Sequence, residues 1–149
     1  MSSTLTTTTV CTIGYQGVSI DEFIARLHEE GIDTIIDVRA NPVSRKPGFS
    51  KFQLESWLMN AGIKYYHFPK LGIPSQYRKE HLDYDSLFFL YEQDILPKAR
   101  EDVALAVQIC ENSCAALLCF EKSPAECHRS RLAKYMGDRY GTKTRHIIF

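Results

Sequence analysis

The chain has 149 residues, 44% of them hydrophobic and 24% charged, and its 18 Lys and Arg residues balance 18 Asp and Glu residues. This composition predicts a globular protein with one core, and it gives no sign of the overall basicity of many nucleic-acid-binding proteins. No apolar run approaches the length of a membrane span, and the Ser/Thr-rich start lacks the features of a secretory signal. We therefore expect no membrane association, a disordered tail over residues 1–8 and a single α/β domain over residues 9–149.

The five cysteines are an odd number at irregular spacings. This pattern favours reduced thiols in a cytoplasmic protein over a disulfide framework. Cys11 and Cys110 lie in apolar segments and are expected to act as small core residues.

The first half of the chain alternates strand and helix patterns. Residues 9–15 predict a strand, and Ser19 with Glu22 forms a capping box for a helix that ends at Glu30. The apolar residues 34–38 predict a second strand, parallel and covered on both faces. Ser50 with Gln53 is expected to cap a helix through residue 60, and residues 63–68 predict a third strand.

The second half begins with residues 71–81, which are expected to be an irregular loop. Asp85 is predicted to cap a helix through residue 95, and Pro97 separates it from a helix that ends near residue 110. A buried strand over 115–120, a helix from Ser123 and a last strand over 145–149 follow. The alternation predicts an α/β three-layer sandwich with a mainly parallel central sheet of about five strands.

Residues 115–129 carry the strongest indication of function. Ser123, Pro124 and Glu126 match a capping box, which would put Cys127, His128 and Arg129 in the first helical turn. The stripe predicted to face the sheet consists of Ala125, Arg129, Leu132, Ala133, Met136 and Tyr140, and Cys127 would point roughly the opposite way. A buried guanidinium needs a partner, either an internal carboxylate such as Glu121 or Asp37, or an anionic ligand.

Three polar loops leave the carboxyl ends of predicted strands, where ligands bind in open α/β sheets. If these strands are neighbours, the loops and the following helix would bring together Tyr15, Arg39, Asn41, Arg45, Cys119, Glu121 and Arg129. Such a cleft would be cationic, and arginine forks match the oxygens of phosphate and carboxylate groups. For Arg39 a salt bridge to a neighbouring carboxylate is the alternative, and for Arg45 a solvated surface loop.

The same residues carry a resemblance to a known family. Five ordered motifs span roughly residues 10–149: Gly14-Tyr15-x-Gly17, the run from Asp37 to Arg45, Gly48 to Lys51, the run from Tyr65 to Gly72, and Leu118-Cys119-x-Glu121 with Cys127-His128-Arg129. They resemble the family called domain of unknown function 488. The resemblance implies a compact bacterial or archaeal cytoplasmic α/β domain, and it implies no established reaction.

Two functions fit the predicted cleft. In the first, an enzyme acts on a phosphate-containing small molecule or a nucleic acid. The anion-binding candidates are then Tyr15, Arg39, Asn41, Arg45 and Arg129, and the catalytic candidates are Glu121, His128, Cys119 and Cys127. In the second, the cleft binds nucleic acid or a nucleotide without chemistry, and base-stacking aromatics come from Phe49, Tyr65, Tyr66 and Tyr77.

A third hypothesis is a metal or redox site formed by Cys119, Cys127 and His128. Seven residues separate the two cysteines, more than the two to four of common zinc motifs, and adjacent Cys127 and His128 would point to different helix faces. We therefore predict no metal and no cofactor. The sequence gives no indication of the oligomeric state.

Overall fold

The computed structural model describes residues 7–80 and 83–149 and contains a five-stranded sheet in the order β3–β2–β4–β1–β5. All pairings are parallel. The strands are β1 (Thr9–Gly14), β2 (Thr34–Asp37), β3 (Lys64–His67), β4 (Ala115–Cys119) and β5 (Lys143–Ile147). The helices are α1 (Ile20–Glu29), α2 (Lys51–Asn60), α3 (Ser75–Glu80), α4 (Tyr84–Leu90), α5 (Leu96–Lys98), α6 (Arg100–Asn112) and α7 (His128–Tyr140).

Two hydrophobic cores lie on opposite faces of the sheet. Because successive side chains of a strand point to opposite faces, Ile35 joins one core and Ile36 the other. Helices α1 and α2 cover the first core, whereas α6 and α7 pack on the second. A strand that is covered on both faces has a continuous apolar sequence, and this pattern predicted β2 and β4. The predicted α/β three-layer sandwich with a parallel sheet is confirmed.

The start of α1 follows the predicted capping box. Ser19 Oγ accepts a hydrogen bond from Glu22 N at 3.2 Å, and Ser19 N donates to Glu22 Oε1 at 2.8 Å. Two backbone donors that the first turn leaves unpaired are thereby satisfied. Phe23 and Leu27 then fall on the buried side of the helix.

Two predictions between β3 and α6 are wrong. Residues 71–81, which were expected to form an irregular loop, begin at the end of a 3₁₀ turn (Pro69–Leu71) and contain helix α3, which starts directly after Pro74. The next helix is capped by Asp83 rather than Asp85, because Asp83 Oδ1 accepts a hydrogen bond from Ser86 N at 2.7 Å. Its last predicted turn is a π-helical turn at Tyr91–Ile95.

The predicted start of α7 is also wrong. Pro124–Glu126 forms a single 3₁₀ turn, and Ser123 makes no side-chain cap. Cys127 is extended (φ −133°, ψ 140°) and is the N-cap, where its sulfur accepts from Arg129 N at 3.4 Å. The extended residue turns both its own side chain and that of His128 inward. The buried residues of α7 are His128, Arg129, Leu132, Ala133 and Met136, whereas Ala125 and Tyr140 are exposed.

Within the described residues, no helix combines the length and the apolar character needed to cross a bilayer. The tail predicted over residues 1–8 lies outside the described residues except for Thr7 and Thr8, and so does His81 of the predicted loop.

Candidate active site

A pocket of about 400 Å³ opens where β1, β2 and β4 end. Because β4 lies between the other two strands, the three loops that follow them meet at one edge of the sheet. Seven of the nine predicted site residues line the pocket: Tyr15, Arg39, Asn41, Arg45, Cys119, Glu121 and His128. The other two, Cys127 and Arg129, lie buried behind it.

Arg39, at the base of the pocket, is neutralised by Asp37. Its Nε and Nη2 donate to the two carboxylate oxygens of Asp37 at 2.8 and 2.7 Å. Both residues are buried, Asp37 completely. Burial alone would lower the pKa of Arg39, but the hydrogen bonds and the charge of Asp37 raise it above its usual value. Arg39 is therefore a permanently charged partner of an internal acid.

The Asp37–Arg39 pair holds the surrounding aromatic side chains in place. Nη1 of Arg39 donates to Tyr15 Oη at 3.1 Å and to Phe49 O at 2.7 Å, and the rings of Tyr15 and Phe49 stack with centroids 4.3 Å apart. Tyr65 Oη donates to Asp37 at 2.6 Å. Burial and the neighbouring carboxylate raise the pKa of Tyr65, so this phenol stays protonated. These contacts give Tyr15 and Arg39 fixed positions in the pocket wall.

The loop that carries Arg45 is shaped by Ser50. Ser50 was predicted to pair with Gln53 in a capping box, but it makes no side-chain cap of α2. Its hydroxyl instead accepts from Ser44 N at 2.9 Å and donates to Ser44 O at 3.0 Å. Gln53 Oε1 accepts from Gly48 N at 3.1 Å. The exposed Arg45 side chain has no hydrogen-bond or ion-pair partner among the described residues.

Arg129 has neither of the internal carboxylate partners considered from the sequence. It is fully buried, and its Nη atoms donate to Glu121 O at 2.5 Å and Lys122 O at 3.2 Å. Nη1 also lies 3.4 Å from Cys119 Sγ, and the buried Nε has no hydrogen-bond partner. Burial lowers the pKa of Arg129 to about 10, although the charge of Glu121 acts in the opposite direction. The side chain fixes the loop after β4 from beneath.

Gly14 is a site residue whose role was missed in the sequence. A Cβ atom at this position would lie 1.8 Å from Glu121 O and 3.0 Å from Arg129 Nη1. The end of β1 and the Glu121 backbone therefore touch, and only glycine leaves the room. The sequence does place a glycine at the end of the predicted strand, and a glycine there often marks a point where another backbone segment comes close.

His128 is held by the end of β2. Its Nε2 donates to Val38 O at 2.8 Å, because a carbonyl can only accept. The ring meets Tyr91 edge-on, with centroids 5.3 Å apart, and Nδ1 lies 4.0 Å from Cys127 Sγ. His128 therefore reaches the pocket as a well-fixed ring.

The sulfurs of Cys119 and Cys127 are joined in a disulfide, so the prediction of reduced thiols is wrong for this pair. Cys11, Cys110 and Cys114 are free. The predicted divergence of Cys127 and His128 is also wrong, because Cys127 precedes the helix rather than lying within it. The two sulfurs and one ring nitrogen of His128 lie within 4.8 Å of one another. The bond between the sulfurs leaves neither as a thiolate.

The aromatic residues considered for base stacking do not form one exposed surface. Phe49 is completely buried, and Tyr65 packs on the core beside Asp37. Tyr66 is 40% exposed but lines a separate groove with Leu105. Tyr77, which belongs to α3, packs against the core. Phe49 and Tyr65 adjoin the Asp37–Arg39 pair but are buried or partly buried, so the described positions give no row of exposed rings.

The comparisons with known proteins agree with the motifs. A scan against protein-family models matches residues 19–136 to the family described as domain of unknown function DUF488. Searches of the curated proteins and of the solved structures found no match. The matched segment includes most of the pocket-forming segments, from α1 to the middle of α7. The chain therefore belongs to the DUF488 family.

Proposed function

We propose that the protein is an enzyme that acts on a phosphate-containing substrate, a small molecule or a nucleic acid, bound in the pocket at the strand ends. The observation that carries this proposal is that one pocket holds an acid, Glu121, and an exposed arginine, Arg45, that has no partner among the described residues. Three of the five cysteines are free, which favours the cytoplasm as the location of this activity.

Arg45 is the best candidate for the phosphate-binding group. Arg39 is neutralised by Asp37, and Arg129 lies beneath the pocket wall, so neither offers a free charge to a ligand. Arg45 is exposed, and its guanidinium can bind two phosphate oxygens at once. Asn41 and Ser44 line the pocket beside it and can add uncharged hydrogen bonds.

Glu121 is the best candidate for proton transfer. It lines the pocket and is only partly buried, with Oε1 3.8 Å from Cys119 Sγ. His128 fits this role less well, because Nε2 is engaged by Val38 O and Nδ1 faces a sulfur. A positioned carboxyl group that gives or takes a proton accelerates a reaction typically 10²–10⁴-fold, in order of magnitude.

Replacing Arg45 by alanine should weaken binding of a phosphate ligand at least about 10-fold, the effect of losing one or two charge-assisted hydrogen bonds. Two measurements distinguish a nucleic-acid ligand from a small-molecule ligand. Fluorescence polarisation uses a labelled single-stranded oligonucleotide, and calorimetry uses inorganic phosphate and adenosine monophosphate. For the oligonucleotide, the salt slope should fall by about one. Arg139→Ala, an exposed arginine near the carboxyl end of α7, is the matched control and should bind normally. Equal affinities of wild type and Arg45→Ala would contradict the proposal.

Replacing Glu121 by glutamine should lower kcat about 100-fold with little change in affinity, because the amide keeps the shape and removes the titratable group. Product release from a panel of phosphoesters and single-stranded nucleic acids measures turnover. Ligand binding that depends on Arg45 without any turnover above background would favour the non-catalytic binding module instead.

A further inference from the structure

The disulfide lies directly behind the pocket wall. Cys119 ends β4 and Cys127 caps α7, and each side chain is 1% exposed. Cys119 lines the pocket, whereas Cys127 does not. One sulfur therefore faces the entry route and the other stands behind it, the arrangement of an attacking and a resolving thiol.

The surroundings of Cys119 favour its reduced, anionic form. Arg129 is a fully buried cation whose hydrogen-bond partners are two main-chain carbonyls and Cys119 Sγ. A buried cation that lacks an anionic partner is costly. Opening the disulfide would supply that anion, because a Cys119 thiolate would lie 3.4 Å from Nη1. The neighbouring carboxylate of Glu121 acts in the opposite sense, but it can accept the proton of the thiol.

Cys127 is also surrounded by groups that favour a reactive sulfur. The Arg129 N–H points at Cys127 Sγ at 3.4 Å, at the amino end of a 13-residue helix. Backbone N–H groups and the helix dipole lower the cost of a thiolate there. Cys127 can therefore attack an oxidised Cys119, because the two cysteines are paired in the structure.

We propose that Cys119 and Cys127 form a redox-active pair that reduces a small hydroperoxide entering through the strand-end pocket. The pocket, at about 400 Å³, is large enough for a small molecule. Because Cys119 is almost completely buried, a disulfide on the surface of a folded protein could not reach it. The proposal shares the pocket and Glu121 with the phosphate-ligand proposal, but it needs neither Arg45 nor Asn41, so binding by Arg45 can fail while the cysteine chemistry stands.

The chemistry balances in three steps. The Cys119 thiolate attacks the outer peroxide oxygen, which gives a sulfenic acid and an alkoxide that takes up a proton to leave as the alcohol, or as water from hydrogen peroxide. The Cys127 thiol then attacks the Cys119 sulfur, forms the disulfide and releases water. A small dithiol reductant restores both thiols by exchange and leaves as its own disulfide.

The test uses the full-length chain, reduced with dithiothreitol, desalted and treated with one equivalent of hydrogen peroxide. Free thiols are then alkylated, and mass spectrometry follows each cysteine. Cys119 and Cys127 should become linked at least about 10-fold faster than the exposed Cys114 of the same molecule is oxidised, because a thiolate is the reacting species. Cys114→Ser is the control variant and should leave this rate unchanged.

Variants separate the two roles. In Cys127→Ser, Cys119 should stop at the sulfenic acid and be captured by dimedone, whereas Cys119→Ser should abolish the fast reaction. Arg129→Met should slow the reaction about 10-fold and Arg129→Lys much less, because lysine keeps the charge. If Arg129→Met does not fold, the two cysteine variants alone test whether Cys119 is the attacking thiol and Cys127 the resolving thiol. Oxidation of Cys119 no faster than that of Cys114, or a stoichiometric metal ion held by both thiols in protein purified without chelators, would overturn the proposal.

Discussion

Replacing Asp37 by alanine is expected to lower the free energy of unfolding by about 3–5 kcal/mol, the usual cost of removing one partner of a buried ion pair. Asp37 is completely buried and accepts hydrogen bonds from Arg39 Nε, Nη2 and N and from Tyr65 Oη. Its loss leaves the guanidinium of Arg39 without a counter-charge. Urea unfolding followed by circular dichroism measures the change.

A matched control and a double variant make this prediction specific. Asp138→Ala removes an exposed carboxylate that pairs with Lys134, and the unfolding midpoint should hardly move. Adding Arg39→Met to Asp37→Ala should recover part of the loss, because the uncompensated charge disappears. A single variant as stable as the wild type would mean that the pair contributes nothing to the core.

Replacing Gly14 by alanine is expected to lower the free energy of unfolding by about 3 kcal/mol, the upper end of ordinary overpacking. The new methyl group would lie 1.8 Å from Glu121 O and 2.6 Å from its carbonyl carbon. Both are main-chain atoms that Arg129 holds from beneath, so they cannot move aside without breaking that hydrogen bond. Urea unfolding gives the stability, and amide chemical shifts of residues 120–122 report the displaced loop.

Gly31→Ala is the control for this substitution. Apart from the adjacent residues, no atom in the described part of the chain lies within 4 Å of the added methyl group. Since φ is +73°, only the left-handed backbone strain of about 1–2 kcal/mol applies. A Gly14→Ala protein with normal stability and unchanged shifts would contradict the close approach of β1 to Glu121.

The layers of the fold were predictable because they depend on local patterns. The apolar run of β4 and the capping box at Ser19 each specify an element through neighbouring residues alone. The start of α7 was not predictable in this way. Ser123 and Glu126 fit the same capping pattern as Ser19 and Glu22, yet burial of Cys127 and His128 keeps the chain extended at Cys127. Tertiary packing overrides an equally good local signal.

The candidate site was predictable in position but not in its pairings. Strand ends indicate where a pocket forms, and polar loop residues indicate which side chains reach it. The partner of Arg129 depends on the direction of two main-chain carbonyls, which side-chain identities do not specify. Ser50 likewise bonds to the backbone of Ser44 rather than to its own helix, because the loop folds back over it.

The position of β4 in the sheet has a consequence for how the chain folds during synthesis. Strands β1 and β2 are never adjacent, since each pairs with a different edge of β4. The residues that precede β4 therefore leave the ribosome with two central strands that have no common neighbour. Pairing over such a long sequence separation is slow. The two halves of the sheet join only when residues 115–119 insert between them, so the pocket is among the last features of the molecule to form.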